Sequence, residues 1–347
     1  MTLQEKVKIP YSLKQENRKN INLMSKSSYQ IYHLTSSIAG GAGIATNRIH
    51  LLLRSDGYSS FLIRGDEIPP KPIHKLILNF KNAIKYLLPK RILNFRKYLK
   101  YNNYQAAYCF YQSKEDVKDG LNKSLFKNIS EIDILFVYWI SDFLNIYDIE
   151  FLKSKYDCRI IFVMVDQVHV SGGYHFLLKE YNQYLKKTGT KIEKPNKKKY
   201  SKQFKIKKEI ISKISAEIIA FSNNDIETAR ECGFNFKKYW KTVIPIESEY
   251  LKPTEKASND NSNVRTIFCC AYNLNDYRKG SDLFIKTLNS LDLMLDAKQK
   301  IKVLCSKDTN PNIFKFNKIS SVYFDYNEDP KIYSKNYHDS DLFLFTS

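Results

Sequence analysis

Apolar positions fall along this chain in short runs, with stripes at helical spacing between them. The first run, residues 31–34, reads as a buried strand. A stretch of small residues follows, with Gly40, Gly41 and Gly43, and a helical pattern opens at Ile44 and carries Ile49, Leu52 and Leu53. Strand, glycine loop and helix are the opening of an α/β unit. Glycines let a backbone approach a ligand closely, and a helix N-terminus offers N–H groups to an anion. A tight turn holding no ligand is the alternative reading of the same residues. The stretch is not a dinucleotide fingerprint, because Thr46 stands where the third glycine would and no convincing acid lies at the right distance.

The alternation continues. Strands are expected at 60–63, 132–138, 159–165, 217–221 and 241–245, and helices at 146–155, 194–213 (after Pro195) and 224–232, the last stopped by Gly233. Gly172 and Gly173 interrupt the pattern. Residues 252–263, KPTEKASNDNSN, are polar and read as a linker. Beyond it come strands at 265–271, 301–305, 322–325 and 341–345, with a helix at 281–295. Strand–helix alternation on both sides of a linker predicts two parallel-sheet domains. The division is 1–27 as a basic extension, 28–251 as the first domain, 252–263 as the linker and 264–347 as the second domain.

Residues 71–100 stand apart, with nine Lys or Arg and no Asp or Glu. Ile73, Leu76, Ile77, Phe80, Ile84, Leu87 and Leu88 form one apolar stripe, which Pro89 interrupts before Ile92, Phe95 and Leu99 resume it. A basic amphipathic helix suits an anionic membrane surface. It equally describes a surface helix packed on its own domain, since periodicity does not say what a stripe faces.

Composition narrows the class. Of the 347 residues 43% are hydrophobic, which excludes a disordered chain. The 56 Lys+Arg against 36 Asp+Glu give a formal charge of +20. That points to an anionic partner, or to lysines that only solubilise. Six cysteines without CxxC spacing argue against zinc and a disulfide framework, and no run of 18 apolar residues exists. The expectation is a cytoplasmic protein, with peripheral membrane contact through 71–100 as the membrane reading. A nucleic-acid partner is suggested by charge alone and by no recognition motif, so none is expected.

Seven stretches, in order, resemble one family. They are 40–50 (GGAGIATNRIH), 133–144 (DILFVYWISDFL), 165–176 (VDQVHVSGGYHF), 218–230 (IIAFSNNDIETAR), 243–253 (VIPIESEYLKP), 271–288 (AYNLNDYRKGSDLFIKTL) and 341–347 (DLFLFTS). Over residues 28–347 the chain resembles glycosyltransferase family 4, and most of all its members that build bacterial surface polysaccharides. The resemblance implies an α/β GT-B fold, two Rossmann-like parallel-sheet domains facing across a cleft, with the second incomplete. It implies a retaining glycosyltransferase that moves a hexose from a nucleotide sugar to a saccharide or lipid-linked saccharide acceptor, without a metal or other cofactor. The alternative is a degenerate, non-catalytic protein that binds a nucleotide or a partner.

The implied site residues follow from the matched motifs. Asp166 and His175 would be catalytic. Gly41, Gly43, Arg278 and Lys279 would bind the donor phosphates, where cations stabilise a departing diphosphate. Gly172, Gly173 and His169 would belong to the acceptor side or its loop. Departures are visible: Asn273 stands at the family's Arg position, Val165 at its His position and Tyr174 at its Cys position. No metal motif is expected, and residues 325–329, DYNED, read as a turn. The family's Glu-x7-Glu motif would follow Ser347, which leads to the expectation of impaired transfer by this chain.

Overall fold

The computed structural model describes residues 26–38, 40–67, 123–140, 143–172, 197–246, 264–268, 281–295, 300–306, 319–324 and 330–344. Two all-parallel sheets emerge from them, an α/β architecture with a Rossmann-like six-stranded sheet. The six strands are β1 (Gln30–Thr35), β2 (Ser59–Arg64), β3 (Ile134–Val137), β4 (Arg159–Met164), β5 (Glu217–Ala220) and β6 (Lys238–Lys241). Their spatial order is β2-β1-β3-β4-β5-β6. Helix α1 (Gly40–Ser55) joins β1 to β2, α2 (Ile146–Tyr156) joins β3 to β4, α3 (Lys197–Lys213) precedes β5, and α4 (Asn223–Glu231) joins β5 to β6.

The strands were legible because a parallel sheet covered on both faces needs apolar side chains on both. In β4 all five residues after Arg159 are buried. Leu135 and Val137 of β3 and Ile218 and Ala220 of β5 are also fully enclosed. Ile149 and Leu152 of α2, and Ala229 of α4, supply buried helix faces. The helix starts are chemically marked. Asn145 and Asp148 form a reciprocal capping box at α2. Ser222 accepts from the Asp225 N–H at 3.1 Å and caps α4. Gly233, at φ 71°, ends α4 in the left-handed region that favours glycine.

The second sheet lies within residues 264–343, in the order β10-β7-β8-β9. Its strands are β7 (Val264–Phe268), β8 (Lys300–Ser306), β9 (Ile319–Phe324) and β10 (Leu342–Phe343), with helices α5 (Ser281–Met294) and α6 (Pro330–His338). Phe268, Phe284 and Leu288 are fully buried. Phe268 meets Tyr337 edge-on at 4.8 Å and Phe343 at 5.8 Å, joining β7, α6 and β10. Asp341 fixes the register of β10 by accepting from the Thr266 N–H at 2.8 Å.

Two expectations are corrected, and one helix is added. The sixth strand is Lys238–Lys241 and not 241–245. Lys238 pairs with Glu217, and the ladder closes with Thr242 N–H donating to Ala220 O at 3.1 Å. Pro245 lacks the N–H that a longer ladder needs, and Val243 and Ile246 are exposed. The first helix starts at Gly40 and not at Ile44, so the three glycines form its first turn. Helix α6 was not foreseen; Pro330 occupies its first position, where a missing N–H costs nothing. Residues 71–100, the 252–263 linker and the 325–329 turn lie outside the described residues.

Candidate functional site

In the first sheet the chain runs from β1 to β2 on one side and returns to β3 on the other. The strand order therefore reverses between β1 and β3, and open α/β sheets hold ligands outside the carboxyl ends of their strands at such a point. Ser36 lies there. Its N–H and its hydroxyl both donate to the Trp139 carbonyl, at 2.6 and 3.0 Å, tying the exits of β1 and β3 together. Thr35 donates its hydroxyl to Ser37 O at 2.9 Å and turns the chain toward α1.

Gly40 has φ 75°, a conformation that glycine adopts without strain. Beyond it, the first-turn N–H groups of α1 have no partner within the helix, by the geometry of any α-helix. Gly41 leaves open space, since a Cβ there would meet no atom within 4 Å. Gly43 is different. A Cβ on it would lie 2.3 Å from the Ile38 carbonyl carbon, so this glycine is required by the close approach of the β1–α1 turn to its own helix. Thr46, buried, returns its hydroxyl to Ala42 O at 2.8 Å.

The exit of β2 adds charge. Ser37 donates to Asp66 at 2.9 Å, and Arg64 grips the same carboxylate with Nε and a terminal nitrogen, each at 3.0 Å. Arg64 also meets Glu67 at 3.0 Å. Arg64 first, then Ser37, hold the Asp66 carboxyl below its ordinary value. The Asp66 N–H donates to Ser36 O at 2.8 Å. Ser36, Ser37, Arg64 and Asp66 did not emerge from the sequence. The only signal was their position at or directly after the ends of two strands, which carries meaning once the strand order is known.

Within the sheet, next to this turn, runs a buried polar chain. His33 Nδ1 lies 3.1 Å from the Tyr138 hydroxyl, and its Nε2 lies 3.0 Å from the Ser60 hydroxyl. Ser60 in turn lies 2.8 Å from His50 Nδ1. The four groups link β3 through β1 and β2 to α1. Burial, aided by the nearby His50, pushes the His33 imidazole down to about 3. Burial likewise lowers His50, with Arg54 adding to it. Tyr138 is raised well above the usual phenol value by the same enclosure.

The other site residues expected from the sequence fall as follows. Asp166 comes two residues after β4, and its carboxylate accepts from the Val168 N–H at 2.8 Å, which shapes a single 3-10 turn, Val168–Val170. His169 lies in that turn and is only 4% exposed. Gly172 is fixed by contact, since a Cβ on it would lie 2.3 Å from the Tyr200 carbonyl oxygen. Gly173, His175, Arg278 and Lys279 lie outside the described residues; the last two belong to the stretch between β7 and α5. Among the described residues, Gly41 and Gly43 are the expected site residues found at the switch point of the first sheet. Among known proteins, no family model matches this chain, and no curated protein matches it either.

Proposed function

We propose that this chain is a nucleotide-sugar-dependent glycosyltransferase of the GT-B kind, transferring a hexose with retention to a saccharide or lipid-linked saccharide acceptor. The observation that carries the reading is the repeated topology. Each of two separate parallel sheets reverses its strand order beside its own first strand, β1 or β7. Each of those strands leads into a stretch with the chemistry a phosphate needs: glycines opening a helix after β1, and Arg278 and Lys279 ahead of α5. The order of the seven family-like stretches supports the same assignment.

In this reading Arg278 and Lys279 offset the charge that develops on the departing diphosphate, with Lys as a point charge and Arg as a fork. The open backbone at Gly41 offers first-turn N–H groups to an anion. Asp166 or His175 would serve the reacting sugar. A second reading, a non-catalytic nucleotide-binding protein, is favoured by the engagement of the Asp166 carboxylate in its own turn and by the burial of His169.

The test is binding followed by transfer. UDP-, GDP- and ADP-sugars are screened by thermal shift, since a ligand that binds only the folded state raises the melting temperature. The stabilising donor is then assayed for sugar transfer. Lys279→Ala should weaken nucleotide-diphosphate affinity by about 1.5–3 kcal/mol, and the control Lys298→Ala should not. Equal affinities for the two variants refute the donor-site assignment. Binding without transfer selects the second reading.

A further inference from the structure

The buried polar chain beside the switch-point turn has a direction. Among the described residues, the Tyr138 hydroxyl meets one group that can accept its hydrogen, His33 Nδ1 at 3.1 Å. Tyr138 is fully enclosed, so a hydroxyl hydrogen without an acceptor there would carry the full cost of its desolvation. The phenol therefore donates to Nδ1. A neutral imidazole holds one N–H, which then sits on His33 Nε2 and donates to Ser60 Oγ at 3.0 Å. Ser60 also has one hydrogen, and it goes on to His50 Nδ1 at 2.8 Å. The His50 proton is thereby placed on Nε2, outside the chain.

Three links use three hydrogens, and every donor in the chain has an acceptor. The count fails once His50 is charged. Its Nδ1 then bears a hydrogen and accepts nothing, so four hydrogens compete for three links. Either Ser60 Oγ receives from both rings and its own hydrogen is orphaned, or the chain reverses and the orphan is the Tyr138 hydroxyl. The proton enters at His50, which is 7% exposed, since His33 and Tyr138 are both at 0%. The groups facing the two rings are Arg54 on α1, Ser60 on β2, and Tyr138 and Phe136 on β3, with the rings themselves 5.5 Å apart. Among the described residues no carboxylate acts on either imidazole to offset a charge, and burial and then Arg54 oppose one at His50.

We infer that Tyr138, His33, Ser60 and His50 form a pH-sensitive latch holding α1 to β2, closed by the one-way run of hydrogens from Tyr138 to His50 and released by a proton taken up at His50. One proton enters from solvent, and no bond between heavy atoms breaks. Helix α1 begins at the glycine turn, so the latch sets how firmly that turn is seated as pH changes. The inference does not depend on the reaction proposed above.

The test uses the full chain labelled with ¹⁵N. At pH 7.5 the imidazole nitrogen shifts should place the single proton of His33, and that of His50, on Nε2. Amide hydrogen exchange is then followed from pH 7.5 to 5.5 as protection factors, which remove the pH dependence of intrinsic exchange. His50 is neutral while the latch is closed and has an ordinary histidine value of about 6.5 once it opens, so opening takes up a proton and is favoured as pH falls. Protection of residues 48–53 should therefore fall about tenfold over this window. His50→Gln keeps an acceptor for Ser60 but does not titrate, and should abolish that fall whatever it does to overall stability. The shifts on the unaltered chain decide the direction of the chain even if the variant folds poorly. The proposal is overturned if His33 carries its proton on Nδ1, if protection of residues 48–53 does not change with pH, or if His50→Gln shows the same fall.

Discussion

Acid should destabilise this fold well before its carboxylates titrate, and His33 is the reason. The imidazole sits at 0% exposure between β2 and β3, bonded to Tyr138 and Ser60. Its value is about 3 in the folded chain, against about 6.5 for an open histidine. Because the folded value is the lower one, the unfolded chain binds a proton more readily as pH falls. The neutral His33 therefore contributes its full share of stability above about pH 6.5, and that share is lost progressively toward pH 3. Between pH 7.5 and pH 5 the linkage relation gives a loss of about 2 kcal/mol from this one group. His50 acts in the same direction. The assay is urea unfolding followed by circular dichroism at several values from pH 7.5 to 5, with the slope against pH as the readout. The variant His33→Gln keeps a side chain that donates and accepts but does not titrate. It will lower stability at every pH, yet should flatten the slope by about 2 kcal/mol over the window. The same slope in both proteins would refute the argument.

Two glycines two positions apart, Gly41 and Gly43, should respond oppositely to the same change. Gly43→Ala drives a methyl into the Ile38 backbone and should cost about 1–3 kcal/mol or more in a denaturant titration, whereas Gly41→Ala meets open space and should leave stability unchanged or raise it by up to about 1 kcal/mol. Ser222→Ala removes the cap of α4 and should lower stability by about 1 kcal/mol, with Ser222→Asp restoring most of it. Glu217→Gln should lower stability by weakening its bonds to Arg159, and should also shift Trp240 emission because the indole N–H loses a charged acceptor.

The buried strands could be read from the chain because β4 and its neighbours are apolar without a break. The sixth strand could not, since its four residues, Lys-Tyr-Trp-Lys, are half exposed or exposed, and a more apolar stretch stands just beyond them. Gly40 concealed the start of α1 because glycine is a poor helix former; its φ of 75°, and the tight contact at Gly43, show why glycines are used there. The polar chain through His33 joins residues 105 and 27 positions apart, a separation that no local pattern reports. At the candidate site the glycine turn was visible as composition. Ser36, Ser37 and Asp66 gain meaning only from the reversal of strand order, which is a property of the whole sheet.

The sixth strand has a consequence for how copies of the chain meet. Among the described strands β6 is the last of its sheet, and the outer edge of such a strand is a template for another chain. Here both of its ends are exposed lysines, Lys238 and Lys241, and Arg230 lies over Tyr239 at 4.8 Å. A second copy laid antiparallel along this edge would bring lysine against lysine. The like charges keep the edge soluble at low ionic strength, and salt near 1 M, which shortens their reach to about 3 Å, removes much of that protection. Crowding of this protein at high salt should therefore begin at β6, with Tyr239 and Trp240 the first aromatic rings to be covered.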